Sequence, residues 1–235
     1  MSDRLSWGII GAGRIAGAFA KGVATSKTGT LLAVGSRDQA KADKFGAEFG
    51  APRRYGSYEA LLADKDVQAV YVATPHPMHA EWAIKAAEAG KHVLCEKPLT
   101  INHAEALTVI EAARRHDVFL MEAFMYRCNP QTAKLVELIR EKVIGEVRVI
   151  QATFSFHTAF NPESRLLSQT LGGGGILDVG CYCTSMARLI AGVALGKDFA
   201  EPIAVSGCGH IGQSRVDDYA VASLKFPGGI LAQLA

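Results

Sequence analysis

A short apolar run that passes directly into a glycine turn and then into a helical pattern limits this chain to few folds. The run is LSWGII (Leu5 to Ile10), and GAGRIAGAFAKGVA follows at once. Ile15, Phe19 and Val23 recur at i, i+4 and i+8, which predicts the apolar face of a helix. Strand, glycine turn and helix in this order are typical of the first unit of a dinucleotide-binding domain.

The glycine turn predicts a phosphate-binding segment at the start of the helix. Gly11 permits the tight turn, and Gly13 lets the backbone approach a pyrophosphate. Ala16 replaces the third glycine of this pattern and is small enough for close packing of the helix on the strand. The helix N-terminus then offers N–H groups to phosphate oxygens, so Arg14 and Ile15 complete the predicted contacts. A glycine turn without a ligand is the alternative.

The end of the second predicted strand, TLLAVGS (Thr30 to Ser36), indicates which dinucleotide is bound. NAD-selective sites carry an acidic residue at this position, which bonds the ribose hydroxyls. Here Ser36 and Arg37 occupy it, and a guanidinium suits a 2′-phosphate through bidentate bonds. We therefore predict NADP. NAD stays open, because a one-residue error in the strand end would put Asp38 there, and Arg37 can also be an ordinary surface arginine.

Three more strand-like runs, VQAVYVAT (67–74), KHVLCE (91–96) and VFLMEA (118–123), alternate with helical patterns. This alternation predicts right-handed βαβ crossovers, an α/β fold and a doubly wound parallel sheet of the Rossmann type. Such sheets bind ligands beyond the carboxyl ends of their strands. Lys97 lies just past one of these ends, where the nicotinamide would reach. Pro98 fixes the next backbone angle, and the sequence leaves open whether the Lys97-Pro98 peptide is cis.

The pattern then changes, which predicts a Rossmann domain over residues 1–123 and an α+β domain with an open, mostly antiparallel sheet over residues 124–235. A helix is predicted first, with Leu135, Leu138 and Ile139 on its apolar face.

Strand-like runs follow that helix. The run GEVRVIQATFSFHT alternates, which puts Val147, Val149, Gln151 and Thr153 on one face. The chain ends at Ala235 within an apparent strand, so we expect the second domain to be truncated and its sheet incomplete.

Composition excludes several classes of protein. The 25 Lys+Arg residues nearly balance the 23 Asp+Glu residues, and no long basic block predicts a nucleic-acid partner. No apolar run reaches about 18 residues, so no membrane helix is expected. The start of the chain shows no signal-peptide pattern, which favours a cytoplasmic protein.

Cysteine and histidine spacing predicts no metal site. His76 and His79 lack a third ligand at sensible spacing. No CxxC pair occurs, and five reduced structural thiols are expected. They are Cys95, Cys128, Cys181, Cys183 and Cys208.

Five segments together carry a family signature: GAGRIA, TPHPMHAE, CEKPLT, MEAFMYR and GGGGILDVGCY. They resemble the Gfo/Idh/MocA oxidoreductases, and most of all the branch of NADP-dependent D-xylose (aldose) and trans-dihydrodiol dehydrogenases. The resemblance implies that Glu96, Lys97 and Pro98 form the active-site EKP motif, with Glu96 and Lys97 beside the cofactor. It also implies that Asp178 and Tyr182 reach the same cleft from the second domain.

The resemblance implies further contacts. Thr74, Pro75 and His79 match the loop that lines the cofactor, and Tyr126 and Arg127 match its continuation beyond the last Rossmann strand. Family members use the open sheet of the second domain for dimerisation, so a homodimer is expected.

The chemistry of these residues can also be argued directly. Oxidising a sugar hydroxyl needs a base, and a phenol with a pKa near 10 is a poor one at neutral pH. An ammonium about 4 Å from a phenol, at an effective dielectric near 20, contributes about 4 kcal/mol, or about 3 pKa units. Lys97 would thereby activate Tyr182 and stabilise an alkoxide, while Asp178 orients the substrate or the lysine.

Two segments near these residues keep alternative interpretations. The glycines 172–175 predict a close approach of the backbone to substrate or to the other domain, or a flexible loop. Arg165 can pair with substrate or with a carboxylate. The leading hypothesis is an NADP-dependent oxidoreductase that acts on an aldose or a cyclic diol. The competing hypothesis is a non-catalytic NADP sensor on the same fold.

Overall fold

The computed structural model describes residues 4–235, which form two compact units with their boundary between Ala123 and Phe124. The first three residues of the predicted Rossmann domain and of the segment searched for a signal peptide lie outside the described residues.

The first unit is a six-stranded, all-parallel sheet with helices between its strands. The strand order is β3-β2-β1-β4-β5-β6, so the order reverses between β1 and β4. This doubly wound topology confirms the predicted fold, and it leaves a crevice at the carboxyl ends of β1 and β4 where such sheets bind ligands. The strands are β1 Leu5–Ile10, β2 Gly29–Gly35, β3 Arg53–Tyr55, β4 Ala69–Val72, β5 His92–Cys95 and β6 Leu120–Glu122. The helices are α1 Arg14–Ala24, α2 Gln39–Phe49, α3 Tyr58–Leu62, α4 His79–Glu88 and α5 His103–Arg115.

The sheet is buried on both faces, as a parallel sheet requires. All four residues of β4 are buried. Leu61, Trp82 and Val109 pack in the core on one side, and Phe45 and Tyr71 pack in the core on the other. These two cores fix the carboxyl ends of the strands, from which the candidate site is built.

The predicted apolar face of α1 is wrong at Ile15, which is half exposed. The buried stripe instead contains Ala16, Gly17, Ala20 and Val23. The helix lies too close to its neighbours for larger side chains, since a Cβ on Gly17 would lie 2.8 Å from the Phe49 ring. Ile15 is therefore available to a ligand rather than to the core.

The second unit packs two helices on a four-stranded sheet. The sheet order is β7-β10-β9-β8, with only the β7–β10 pair parallel, which confirms an open and mostly antiparallel sheet. Every residue of the edge strand β8 is exposed. The elements are α6 Pro130–Arg140, β7 Val149–Ala152, a π-helical turn Ile176–Gly180, α7 Cys181–Ala194, β8 Ala204–Ile211, β9 Asp217–Lys225 and β10 Leu231–Leu234.

The predicted apolar face of α6 is wrong at Leu135, which is exposed. Thr132 and Ile139 are the buried residues, and Val136 packs between them against the core. The face is rotated because the Thr132 hydroxyl turns inward, where it donates to the carbonyl of Tyr126 at 2.7 Å.

Strand β7 is shorter than its alternating pattern predicted. It pairs only with β10, and that pairing ends where Ala152 meets Leu234. Ile150 faces the core, whereas Val149 and Gln151 face outward. Of the predicted shared face, Val149 and Gln151 are therefore exposed, whereas Val147, before the strand begins, packs against the core.

One helical stretch of the described residues, Gln169–Ala194, is long and apolar enough by composition to cross a membrane, although it contains no unbroken apolar run of that length. Its apolar window has a mean hydropathy of 1.3 and is 44% buried inside the structure. Ala187, Ile190 and Ala191 of this stretch pack in the core of the second unit. A core helix meets the same criteria of length and composition.

Candidate active site

The turn after β1 brings three strand ends together. Gly11 has a φ of +99°, and a Cβ there would lie 2.8 Å from the carbonyl oxygen of Ala73. Its N–H donates to Gly35 at the end of β2 at 3.0 Å. Only glycine meets both requirements, the positive φ and the close approach to the chain after β4.

The N-terminus of α1 is open to an anion. The helix begins at Arg14, its cap Gly13 provides no side-chain hydrogen bond, and its first turn has no acidic residue. A Cβ on Gly13 would meet no described atom within 4 Å. Unpaired N–H groups and the positive end of the helix dipole therefore face empty space, which fits a pyrophosphate. Arg14 and Ile15 are both exposed beside it.

Arg37 and Asp38, the two residues that could contact the ribose end of the cofactor, have different surroundings at the end of β2. Ser36 is buried, and its hydroxyl accepts the N–H of Asp38 at 3.3 Å. The Asp38 carboxylate caps α2, accepting from Ala40 at 2.9 Å and Lys41 at 3.4 Å. The Asp38 carboxylate is therefore occupied as the N-cap of α2, while Arg37 is exposed at the end of β2.

Arg37 also acts on a neighbouring phenol. Burial raises the pKa of Tyr58, and the positive charge of Arg37 with its hydrogen bond to this side chain opposes the rise.

The loop after β4 contains an unsatisfied hydroxyl. Thr74 is buried, and its Oγ1 has no hydrogen-bond partner in the part of the chain that the structure describes. Pro75 follows it and begins a 3₁₀ turn. Buried polar atoms without partners are rare in folded proteins, so this hydroxyl is suited to a ligand.

His79, the first residue of α4, is fully buried. Its Nδ1 lies 2.7 Å from the Pro98 carbonyl oxygen, and its Nε2 lies 2.9 Å from that of Thr74. Burial lowers the pKa of His79, while the two carbonyls and the charge of Glu96 oppose the fall. Both ring nitrogens face backbone carbonyls, so the ring connects the loop after β4 with the loop after β5. The contact of His79 with the cofactor stays a prediction.

Glu96 fixes the backbone from which Lys97 projects. One carboxylate oxygen accepts from the Tyr71 hydroxyl, and the other accepts the Lys97 N–H at 3.1 Å. These two bonds fix the Glu96 carboxylate against β4 and the Lys97 backbone, and its place beside the cofactor stays a prediction.

The chain after Lys97 is also fixed by a hydrogen bond. The Lys97-Pro98 peptide is cis, which answers the question that the sequence left open. The Leu99 N–H donates to Glu122 of β6 at 2.7 Å. Burial raises the pKa of the Cys95 thiol, which keeps it protonated, and all five cysteines are free.

Asp178 and Tyr182 lie in a helical segment of the second unit that changes from π-helical to α-helical geometry between them. Asp178 lies in the π-helical turn and is buried, whereas Tyr182 lies in the first turn of α7. π-helical turns are frequent at functional sites. Arg165 Nη1 lies 3.0 Å from Asp178 Oδ1, so the predicted arginine forms a salt bridge to a carboxylate.

The glycine run before this helix is fixed by packing. A Cβ on Gly173 would lie 2.7 Å from the carbonyl oxygen of Leu166. A Cβ on Gly174, whose φ is +118°, would lie 2.2 Å from Asp217 Oδ1. The other Asp217 oxygen accepts the Ile176 N–H at 2.6 Å and caps the π-helical turn. Asp217, 41 residues away, gave no signal in the sequence.

Gly174→Ala is expected to lower the free energy of unfolding by about 1–3 kcal/mol, because it combines a left-handed backbone with loss of the Asp217 cap. Gly196→Ala is the matched control, since Gly196 has a φ of +72° but no described atom within 4 Å of its added Cβ. Urea unfolding measures both. Equal losses in the two variants would show that the Asp217 contact contributes nothing beyond backbone strain.

Aromatic rings surround Tyr182. Phe124, Phe154 and Tyr126 have ring centroids 5.4, 5.7 and 6.1 Å from its own. Its hydroxyl lies 3.6 Å from the sulfur of Met125. These rings orient the phenol, and Phe154 in particular was not identified from the sequence.

Two further predicted features can be located. Arg127 is exposed in the 3₁₀ turn Met125–Cys128 at the start of the second unit. Across residues 4–235, no three His, Cys, Asp or Glu side chains are grouped as metal ligands.

The reversed strand order, the glycine turn and the open helix N-terminus define the first unit as a dinucleotide-binding Rossmann domain. A model of the oxidoreductase family with an NAD-binding Rossmann fold, GFO/IDH/MocA, matches residues 5–124, and one of its C-terminal domain matches residues 132–235. The chain belongs to the Gfo/Idh/MocA family, which confirms the resemblance seen in its motifs.

Curated relatives agree with the branch that the motifs indicated. A trans-1,2-dihydrobenzene-1,2-diol dehydrogenase from Mus musculus is 38% identical over 96% of this chain and 66% of its own length. A D-xylose 1-dehydrogenase (NADP(+)) from Haloferax volcanii is 39% identical over 86% of this chain and 60% of its own length. The chain thus spans less than two thirds of either relative.

Solved structures share the fold. An aldose-aldose oxidoreductase from Caulobacter crescentus, complexed with glycerol, has a TM-score of 0.86 and 30% identity, over 98% of this chain and 70% of that one. A 3-ketoreductase from Actinomadura kijaniata, in complex with NADP and TDP-benzene, has a TM-score of 0.82 and 32% identity, over 98% and 68% of the two chains.

Proposed function

We propose that this protein is an NADP-dependent dehydrogenase that transfers a hydride between the nicotinamide and a CH–OH group of an aldose, such as D-xylose, or of a related cyclic diol. The observation that carries the proposal is Lys97, whose backbone is fixed on both sides at the carboxyl edge of the parallel sheet. The names of the related diol and xylose dehydrogenases support the substrate class.

The residues present fit a dinucleotide. The open N-terminus of α1 suits the pyrophosphate, and the unsatisfied Thr74 hydroxyl suits a polar group of the ligand. When bound, the nicotinamide supplies the hydride acceptor or donor. Arg37 favours NADP over NAD, because it is the exposed charge at the end of β2 while Asp38 caps its helix.

The variant Arg37→Ala is expected to weaken NADP binding by about 10- to 100-fold, the contribution of charge-assisted hydrogen bonds to a phosphate. NAD lacks that phosphate, so its affinity should change little. Titration calorimetry with both dinucleotides measures the difference, and Lys44→Ala, an exposed charge on α2, is the control. Equal losses for NAD and NADP would rule out the phosphate contact.

In the proposed reaction, Tyr182 takes the proton of the substrate hydroxyl and Lys97 stabilises the charge on its oxygen. Asp178, held by Arg165, orients the substrate or the lysine. The aromatic rings around Tyr182 hold the phenol in one orientation for this proton transfer.

We also propose that the protein is a homodimer that pairs through the open sheet face of the second unit. Val149, Val221 and Tyr219 on that face are 62%, 48% and 65% exposed. Exposed apolar surface of this extent is typical of an interface. Cytoplasmic location stays a prediction.

Initial rates test the proposed function directly. We expect NADPH formation with D-xylose, D-glucose or a trans-dihydrodiol, and slower turnover with NAD. Tight NADP binding without hydride transfer to any of these substrates would contradict the dehydrogenase and favour the sensor.

A further inference from the structure

His79 is a buried titratable group for which the proposed chemistry has no direct use. We propose that His79 is a positioning residue, which holds the Lys97 amine in place by donating its Nδ1–H to the Pro98 carbonyl. This inference rests on the proposed function, and it concerns a residue that was expected to contact the cofactor.

The placement of the ring supports this role. His79 starts α4, directly after the loop from β4, and its ring reaches the loop that follows β5. These two strands are neighbours in the sheet. The carbonyl that it contacts at 2.7 Å belongs to Pro98, the residue bonded to Lys97. The ring therefore links the two cofactor-side loops through one rigid group.

Hydrogen-bond counting identifies the nitrogen that carries the proton. Both contacts are carbonyl oxygens, which only accept, and a neutral imidazole has a single N–H to donate. Burial lowers the pKa of His79, which favours the neutral ring. The contact with Pro98 is the shorter, at 2.7 Å against 2.9 Å for Thr74. We therefore assign the proton to Nδ1, so the hydrogen bond of the neutral ring is the one to the Pro98 carbonyl.

Charged groups around the ring are consistent with that assignment. Glu96 and Lys97 act on His79 with opposite signs, so neither charge alone fixes its protonation. The His76 ring lies 5.6 Å away, centroid to centroid. The carbonyl geometry, rather than a charge partner, therefore decides which nitrogen donates.

Two amide substitutions separate the contacts. Asn places its NH₂ group near the position of Nδ1, and Gln places its NH₂ group near that of Nε2. His79→Asn therefore keeps a donor for Pro98, whereas His79→Gln offers its donor to Thr74 instead. His79→Leu removes the single ring donor at similar volume.

We expect His79→Leu and His79→Gln to lower kcat by about 10- to 100-fold, the effect of a misplaced catalytic group. His79→Asn should recover most of that loss. The dissociation constant of NADPH, measured by fluorescence, should stay within about threefold of wild type in all three. The split between kcat and cofactor affinity distinguishes positioning of Lys97 from contact with the dinucleotide.

Rescue by Gln rather than Asn, or a loss of NADPH affinity with unchanged kcat, would overturn the proposal. Nitrogen NMR of the His79 ring in the wild-type protein gives a test that needs no variant to fold. We expect a neutral ring protonated at Nδ1, and protonation at Nε2 alone would contradict it. The NMR spectrum and NADPH binding do not depend on turnover. Absence of activity in the wild type would thus refute the proposed function and leave the tautomer assignment to be judged separately.

Discussion

Tyr182→Phe is expected to lower kcat by about 10²- to 10⁴-fold, the usual contribution of a general acid–base group. The variant removes one hydroxyl and keeps the ring that packs against Phe124, Tyr126 and Phe154. The fold and the affinity for NADP should therefore stay close to wild type. Steady-state rates and NADP titrations on the same preparation measure the two quantities.

Tyr126→Phe is the matched control for this experiment. Its hydroxyl lies in the same aromatic cluster but is bonded to Ser185 at 2.7 Å. Loss of that bond costs about 0.5–1.5 kcal/mol of stability and removes no proton donor from the proposed reaction. Comparable rates for wild type and Tyr182→Phe would remove Tyr182 from the chemistry.

Replacing Lys97 by Met is expected to lower kcat by about 10²- to 10³-fold, the effect of losing one group that stabilises a developing oxyanion. Met has most of the length of the lysine side chain but carries no charge. The backbone bonds through Glu96 and Leu99 do not involve the lysine side chain, so the loop should keep its shape. Rates at saturating NADP and substrate measure the loss.

Lys85→Met provides the comparison, since Lys85 lies on α4 and pairs with Glu81 on the surface. Its rate should equal that of wild type. A Lys97→Met protein as active as this control would show that the amine has no part in the reaction.

The Rossmann architecture could be predicted because its signals are local. Continuous apolar strands, a glycine turn with positive φ at Gly11 and alternating helices each depend on neighbours in sequence. The strand end at Gly35 was predicted closely enough to separate Arg37 from Asp38. Family motifs added the positions of Lys97, Asp178 and Tyr182, which spacing alone did not join.

Contacts between distant segments could not be predicted. Asp217 caps a turn 41 residues earlier in the chain, and no local pattern indicates that partnership. Periodicity shows which residues share a helix face, yet the close packing of Gly17 against Phe49 turned Ile15 outward.

The direction of a side chain was the other property that sequence could not give. Motif matching placed His79 and Glu96 in loops beside the cofactor. In the structure the His79 ring contacts two backbone carbonyls, and Glu96 accepts from the Lys97 N–H and the Tyr71 hydroxyl. A loop is fixed by its position in the sheet, whereas the direction of each side chain depends on which buried carbonyl or N–H lacks a partner.

The central proposal is that the amine of Lys97 and the phenol of Tyr182 act on the same substrate hydroxyl group, and a double-mutant cycle tests it most directly. Rates of Lys97→Met, Tyr182→Phe and the double variant are compared with wild type. Groups that act as a unit are strongly non-additive, so we expect the double variant to be about as slow as the slower single variant. A loss equal to the product of the two single losses would mean that the groups act independently, and would contradict the account.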